Sequence, residues 1–388
     1  MSDNLTKNSI PFVNDDSIDR SFAFAYTPSE KNRGATMDLI DTLKHKAIKG
    51  KGISTSEALE LFIEGSGNPY RVLAAASEIR EHFKGKMIIL CGITNAKSGR
   101  CSEDCKFCAQ SSHYPTATAT YPLKPAKQIL AEAARAKKDG AEFFGIVTSG
   151  RHVKAKKEWM EILKAIEGMR KIDIIPCASL GIIDAEQARD LKAAGLFRYH
   201  HNLETARTHF KNICTTHDYE ENVETIRIAK SAGLSVCAGA LIGMGEGVTQ
   251  RIELAAALRD LDVDSIPINI LTPIKGTPLD HLHPLSPMEI LMTITVFRFM
   301  LPDKDIKLCG GKEKNLRQLL PLSIIAGANS LMTGNYLTTT GRDSKLDHEM
   351  IADLGLLPTR DLDICQCGMA LDRGCLPPTT VKRKSLPK

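Results

Sequence analysis

One connection occurs three times in this chain, and it limits the folds open to it. Lys-Asp-Gly-Ala-Glu-Phe (138–143), Ala-Ala-Gly-Leu-Phe-Arg (193–198) and Ser-Ala-Gly-Leu-Ser-Val (231–236) each stop a helical pattern at a glycine and enter a strand at once. Eight apolar runs read as strands: Lys86–Leu90, Ala141–Val147, Ile172–Cys177, Leu196–Tyr199, Leu234–Cys237, Ser265–Asn269, Ile306–Cys309 and Ala328–Met332. Helical patterns lie between them. Trp159, Ile162, Leu163, Ile166 and Met169 recur at helical spacing, and Asp184 with Gln187 and Asp218 with Glu221 open two further helices. Pro176 requires a strand start or a bulge. Alternating units of this length demand parallel strands joined by right-handed crossovers.

Eight such units can close into a barrel, and the span of about 85–345 is the usual size for one. An open doubly wound sheet competes, but no Gly-x-Gly-x-x-Gly turn follows the first strand. The expected fold class is therefore α/β, a (β/α)8 TIM-type barrel whose chemistry sits at the C-terminal ends of its strands. Residues 1–35 are polar and aperiodic, a flexible lead-in. Residues 36–84 carry two helical stretches, the second opened by the capping box Ser54–Glu57. The barrel takes 85–358, and 359–388 form a cysteine-containing C-terminal extension.

Composition excludes several classes of function. No run of 18 apolar residues is present, so no membrane span is expected. The start lacks an apolar signal core, which points to a cytoplasmic protein. The net charge of +5 is dispersed, and the knot Lys382–Lys384 has no interleaved aromatic residues, so it reads as a solvated tail rather than a nucleic-acid surface. Eleven cysteines in such a chain indicate metal or redox chemistry, because disulfides do not persist in a reducing compartment.

Just beyond the first strand lies Cys101-Ser-Glu-Asp-Cys105-Lys-Phe-Cys108. Three thiolates on one short loop can hold three irons of a four-iron cluster and leave the fourth iron without a protein ligand. A zinc site would want a fourth ligand, often from a second Cys-x2-Cys pair. The spacing, the aromatic before the last cysteine and the position after strand one resemble the radical S-adenosylmethionine (SAM) enzymes. In that family the open iron binds SAM, and one-electron reduction yields a 5′-deoxyadenosyl radical.

The resemblance narrows to the biotin synthase family over about residues 50–358. It is carried by Asn95–Ser112, Tyr199-His-His-Asn-Leu-Glu-Thr205, Gly243-Met-Gly-Glu246, Pro267–Leu271 with Lys275-Gly-Thr-Pro278, and Ala326-Gly-Ala-Asn-Ser330. It implies conversion of dethiobiotin to biotin, a [4Fe-4S] cluster on Cys101, Cys105 and Cys108, and SAM held by Asn202, Glu204, Gly243, Gly245 and Glu246. It also implies substrate contacts at His200 and Asn269, an electron donor of flavodoxin or ferredoxin type, and a homodimer. Period-two alternation would put His200, Asn202 and Glu204 on one face of strand four. The family has asparagine, asparagine and aspartate there, so His200 is a departure and Glu204 is one methylene longer.

Relatives also hold a two-iron auxiliary cluster on cysteines of strands two, three and five and an arginine of strand seven. Cys177 and Cys237 match, whereas Gly145 and Lys307 stand at the other two positions. The expectation is a different auxiliary iron–sulfur cluster, on Cys177, Cys237 and Cys309 with Cys365 or Cys367 of a tail folded over the mouth. Cys91 and Cys214 read as packed residues. A radical SAM enzyme with another small substrate and a non-catalytic cluster carrier are the competing functions; a carrier has no need of a nucleoside site.

Overall fold

The computed structural model describes residues 38–359. Three helices lead in, α1 (Leu39–Ile48), α2 (Thr55–Gly67) and α3 (Pro69–Lys84), where the sequence suggested two stretches. Asn68-Pro69 accounts for the difference: Pro69 starts α3 at the first helical position, where its missing N–H costs nothing. The capping box at Ser54 forms, with the Ser54 amide donating to Glu57 Oε2 at 2.7 Å.

The barrel strands are β1 (Met87–Lys97), β2 (Phe143–Thr148), β3 (Ile175–Ser179), β4 (Arg198–His200), the interrupted pair β5 (Ser235–Cys237) and β6 (Ala240–Ile242), β7 (Ser265–Ile270), β8 (Asp305–Leu308) and β9 (Ser330–Met332). All pairings are parallel, and β9 pairs with β1 to close the ring. The outer helices are α4 (Ala126–Lys138), α5 (Lys156–Lys171), α6 (Ala185–Ala194), α7 (Arg207–Phe210), α8 (Tyr219–Ser231), α9 (Val248–Asp260), α10 (Pro287–Met300), α11 (Lys312–Leu316), α12 (Leu322–Ile325) and α13 (Ser344–Asp353). The glycines of the repeated connections have φ of 90°, 91° and 74°, the left-handed stop their positions demand. In α10, Ile290 through Met300 is buried throughout, because α2 and α3 cover the side that faces away from the barrel. A short strand β10 (Leu357–Pro358) pairs with Met87 and Ile88, so the last described residues lie at the N-terminal end of the barrel.

Two local departures matter for the site. Strand β4 ends at His200, so Asn202 and Glu204 stand on the loop beyond it rather than on a strand face. The amides of Leu203 and Glu204 both donate to the Gly239 carbonyl (3.1 and 3.2 Å), and Glu204 takes a left-handed φ of 65°. Gly239 itself breaks the fifth barrel strand into β5 and β6. A Cβ there would sit 2.0 Å from the Pro267 carbonyl oxygen, so only glycine lets the backbones approach this closely.

Register determines which side chains meet inside, since the tilted strands of such a barrel advance about one residue per strand. Cys91 pairs with Phe143 and Phe143 with Ile175, so two strands on the residue level with Cys91 is Cys177. The same step leads through Arg198 and Ser235 to Cys237, through Ser265 and Asp305 to Lys307, and through Ser330 and Ile89 back to Cys91. Cys91, Cys177, Cys237 and Lys307 thus form one closed interior layer, drawn from alternate strands. Phe143, Arg198, Ser265 and Ser330 lie beneath it; Gly145, His200, Pro267 and Met332 lie above. Cys309, two residues past Lys307, is one level higher again.

Candidate active site

Strand β1 runs directly into the cysteine loop, and Gln110 pins the start of that loop. Its Oε1 accepts from Ser98 Oγ (3.0 Å), the Gly99 amide (3.3 Å) and Asn95 Nδ2 (3.4 Å). The Cys101 amide donates to the Gln110 carbonyl at 3.0 Å and the Cys108 amide to the Cys105 carbonyl at 2.9 Å, folding the three cysteines into one turn. Phe107 packs against the small apolar cluster of Ile213, Met244, Leu271 and Leu279, which explains the aromatic before the last cysteine. Cys101, Cys105 and Cys108 are free and partly exposed at the barrel mouth. Without metal these thiols resist ionisation: the contact with Cys214 and then burial raise Cys105, and burial pushes Cys108 up to about 11. A soft metal that displaces the protons is what would make thiolates of them.

The far side of the loop is held by residues that the sequence reading missed. Asp104 Oδ1 accepts the amides of Thr215 (2.8 Å) and Thr216 (3.2 Å). Glu103 Oε2 accepts from Thr216 Oγ1 (2.8 Å) and lies 2.6 Å from His217 Nδ1. Cys214 Sγ stands 3.8 Å from Cys105 Sγ and 3.2 Å from His217 Nδ1, so Cys214 is a neighbour of the loop as well as a packed residue. Burial lowers the pKa of His217, but Cys214 and Glu103 outweigh it and lift the imidazole to about 9. The run Cys214-Thr-Thr-His217 was the available signal. Asp104→Ala strips two loop amides of their acceptor, a loss of about 1–3 kcal/mol. The expected result is a chain that folds normally by circular dichroism but retains less than half the wild-type iron after anaerobic desalting.

Across the mouth, Asn202 Oδ1 accepts the Gly239 amide at 3.2 Å while its Nδ2 donates to Glu204 Oε2 at 3.4 Å. Burial pushes Glu204 up to about 7. Glu246 spends its carboxylate on the Gly243 amide (2.8 Å), the Met244 amide (2.7 Å) and Arg251 Nε (2.8 Å). It therefore shapes the Gly243–Gly245 loop, both of whose glycines have left-handed φ, and reaches a ligand only through that loop. Asn269 joins the ends of two strands: its Nδ2 donates to the Ala240 carbonyl (3.3 Å) and its Oδ1 accepts the Gly310 amide (3.1 Å).

Deeper, His200 is neutral, its pKa held well below the usual range by burial and by Lys307 and Arg198. Its buried Nε2 has no partner, and neither does Ser265 Oγ beneath the cysteine layer. Lys307 Nζ lies 3.8 Å from Cys237 Sγ. Burial opposes the lysine's charge, but Cys237, Cys91 and Cys309 hold its pKa above the ordinary value. Burial pushes Cys177 and Cys309 up to about 12. Buried thiols, a counter-charge and two unpartnered polar atoms fit an iron–sulfur group. Neither Gly145 nor a protonated Lys307 can serve as its ligand. Cys365 and Cys367 lie outside the described residues, as does the fold of the tail over the mouth. Cys91, read from sequence as a packing residue, is packed with Phe143 and Cys177 and shares this interior.

Comparison with known proteins agrees with this geometry. Residues 95–258 match the Radical SAM superfamily and residues 267–357 the Biotin and Thiamin Synthesis associated domain. A methylornithine synthase superposes with a TM-score of 0.71 at 21% identity, covering 82% of this chain and 97% of its own. An [FeFe]-hydrogenase maturase superposes at 0.72 and 17% identity, covering 84% and 77%; these two likenesses show the shared barrel. The biotin synthase of Geobacter sulfurreducens is 50% identical over 317 residues, 81% of this chain and 96% of the relative. That of Syntrophotalea carbinolica is 49% identical, with 80% and 95% covered. With both domain matches in order along one barrel and half of all aligned residues shared nearly end to end, the chain belongs to the biotin synthase family of radical SAM enzymes.

Proposed function

We infer that this chain inserts sulfur into dethiobiotin to give biotin, with SAM as its radical source. The observation that carries the reading is the near full-length identity to biotin synthases, which spans both the cysteine loop and the nucleoside side of the mouth. When bound, a [4Fe-4S] cluster supplies the electron that cleaves SAM, and an auxiliary iron–sulfur cluster supplies the sulfur. Cys101, Cys105 and Cys108 would hold the first, leaving one iron for the amino and carboxylate groups of SAM. Asn202 and Glu204 offer an amide and a paired carboxylate to the nucleoside, and the loop braced by Glu246 borders it. Asn269 and the neutral His200 face inward between the two sites, where they would orient dethiobiotin. The narrow barrel keeps water from the reacting carbon.

An electron donor of flavodoxin or ferredoxin type and a homodimeric state belong to the same proposal. Among the described residues no helix is long and apolar enough to cross a membrane. His200, at a position where the family pattern has asparagine, favours one second reading, the same radical chemistry on a different small substrate. Anaerobic reconstitution with iron and sulfide, followed by reductant, SAM and dethiobiotin, separates the two. Biotin with 5′-deoxyadenosine is the expected outcome; 5′-deoxyadenosine alone, from fully loaded protein, would overturn the substrate and keep the chemistry.

The Glu204 carboxylate would accept from ribose hydroxyls most strongly when ionised. With its pKa at about 7, SAM affinity is expected to weaken as pH falls through that value. Glu204→Gln should bind SAM roughly 10-fold more weakly at pH 8, the loss of about one charge-assisted hydrogen bond, and lose the pH dependence. Titration calorimetry between pH 6 and 8.5 checks both effects.

A further inference from the structure

We propose that Cys91 is a ligand of the auxiliary cluster, completing a four-cysteine set with Cys177, Cys237 and Cys309 inside the barrel. The proposal rests on the biotin synthase reading for the existence of that cluster and goes beyond it in the ligands. The usual family pattern has a cysteine on strand two and an arginine on strand seven, where this chain has Gly145 and Lys307.

Three observations carry it. First, the pairing register closes Cys91, Cys177, Cys237 and Lys307 into one layer, so three thiols project into the axis at the same height from alternate strands. Cys309 follows Lys307 by two residues and points inward about 6.6 Å further along the strand. That offset suits a polynuclear cluster, whose protein thiolates are spread around its faces. A single ion would need the sulfurs closer: among the described residues, the only group of three or more His, Cys, Asp or Glu ligand atoms within 4.8 Å of one another is Glu103, Cys214 and His217.

Second, Cys91 has polar and sulfur neighbours as well as the apolar contacts of Phe143, Ile89, Ile175 and Phe197. It is 3% exposed, with Ser330 Oγ 3.9 Å away on one side and Lys307 and Cys177 sharing its interior. Lys307 and Arg198, both almost wholly buried, supply the positive charge that four thiolates would need around a cluster. The ligands load by exchange: each thiol releases its proton to solvent as its sulfur bonds to iron.

Third, the layer leaves hydrogen bonds unmet. Gly145, directly above Cys177, contributes no side chain; a Cβ there would be 3.2 Å from Ile93 Cγ2 and 4.0 Å from the Cys177 Cβ. His200 Nε2 above and Ser265 Oγ below lack partners, and bridging sulfides would supply acceptors to both sides. The described chain, moreover, leaves the barrel at Thr359, whose amide donates to the Ile88 carbonyl at 3.0 Å, at the opposite end from the mouth.

The test counts metal in full-length protein with Cys101, Cys105 and Cys108 replaced by alanine, so that only auxiliary iron is seen. Reconstituted anaerobically with iron and sulfide, this parent is compared with Cys91→Ser, with Cys214→Ser as a control outside the layer, and with a Cys365→Ser/Cys367→Ser/Cys375→Ser triple variant. Cys91→Ser is expected to lose more than half of the bound iron and sulfide, or to retain iron with a changed Mössbauer spectrum. Iron content and spectrum equal to the parent would overturn the proposal, whatever the tail variant does. Folding is read separately, by mouth-cluster absorbance and SAM binding of Cys91→Ser and Cys91→Ala in the otherwise native chain. The count requires no dethiobiotin, so it stands or falls apart from the biotin assay.

Discussion

Replacement of Cys108 by alanine should abolish both 5′-deoxyadenosine and biotin, a fall of at least about a thousand-fold in turnover. Three thiolates are the minimum that holds a four-iron cluster while leaving one iron free for SAM, and the loop itself carries only Cys101, Cys105 and Cys108. The Cys108 amide also closes the turn onto Cys105, but that bond belongs to the backbone and survives the substitution. The variant should therefore keep its fold and auxiliary iron while losing mouth iron and SAM cleavage. Iron counting with mass-spectrometric detection of 5′-deoxyadenosine checks it. Persistent cleavage would mean that the activating iron is held elsewhere.

The largest effect on stability is expected at Asp305, beneath the cysteine layer. Its Oδ1 accepts from Lys84 Nζ at 2.7 Å and Asn329 Nδ2 at 3.0 Å, and its Oδ2 lies 3.7 Å from Arg198 Nη2. Arg198 is buried against Phe143 and Phe197, its guanidinium carbon 5.1 and 5.6 Å from the ring centroids. Asp305→Ala would take the carboxylate from buried Arg198 and one partner from Lys84, at a cost of about 3–5 kcal/mol. Burial alone would raise the Asp305 pKa, but Lys84 and Arg198 outweigh it and hold it at about 2, below the ordinary 3.8. The sign follows: the stabilisation is complete above the unfolded value and is lost as pH falls from there through about 2. Denaturant unfolding of the apoprotein should show variant and wild type far apart at pH 7 and converging at strongly acid pH. A constant gap across that range would remove the ion pairs as the cause.

The barrel was legible because its signals are local. Gly140, Gly195 and Gly233 mark their turns by backbone need alone, and the capping boxes at Ser54, Asp184 and Asp218 form as spaced. The cysteine loop was legible for the same reason, as all three thiols sit within eight residues. What escaped were relations between distant segments. Strand β4 ends at His200 because Gly239, 39 positions later, captures the amides of Leu203 and Glu204. Cys91 looked like any small apolar residue on β1 until the register set it level with Cys177 and Cys237. Arg198 and Cys214 carry no local pattern; only the approach of Asp305 to one and Cys105 to the other shows their place.

The strand break at Gly239 has an evolutionary consequence. Asn202 and Glu204 are positioned by backbone atoms of residue 239, whereas His200 occupies the last strand position before the loop and projects toward the axis. On the roles proposed above, the part of the mouth that would cradle the nucleoside is thereby insulated from the part that would meet the molecule to be altered. Drift at position 200 can sample new substrates without dismantling the machinery that generates the radical, so one ancestral barrel could diversify its targets while inheriting its source of reactivity intact.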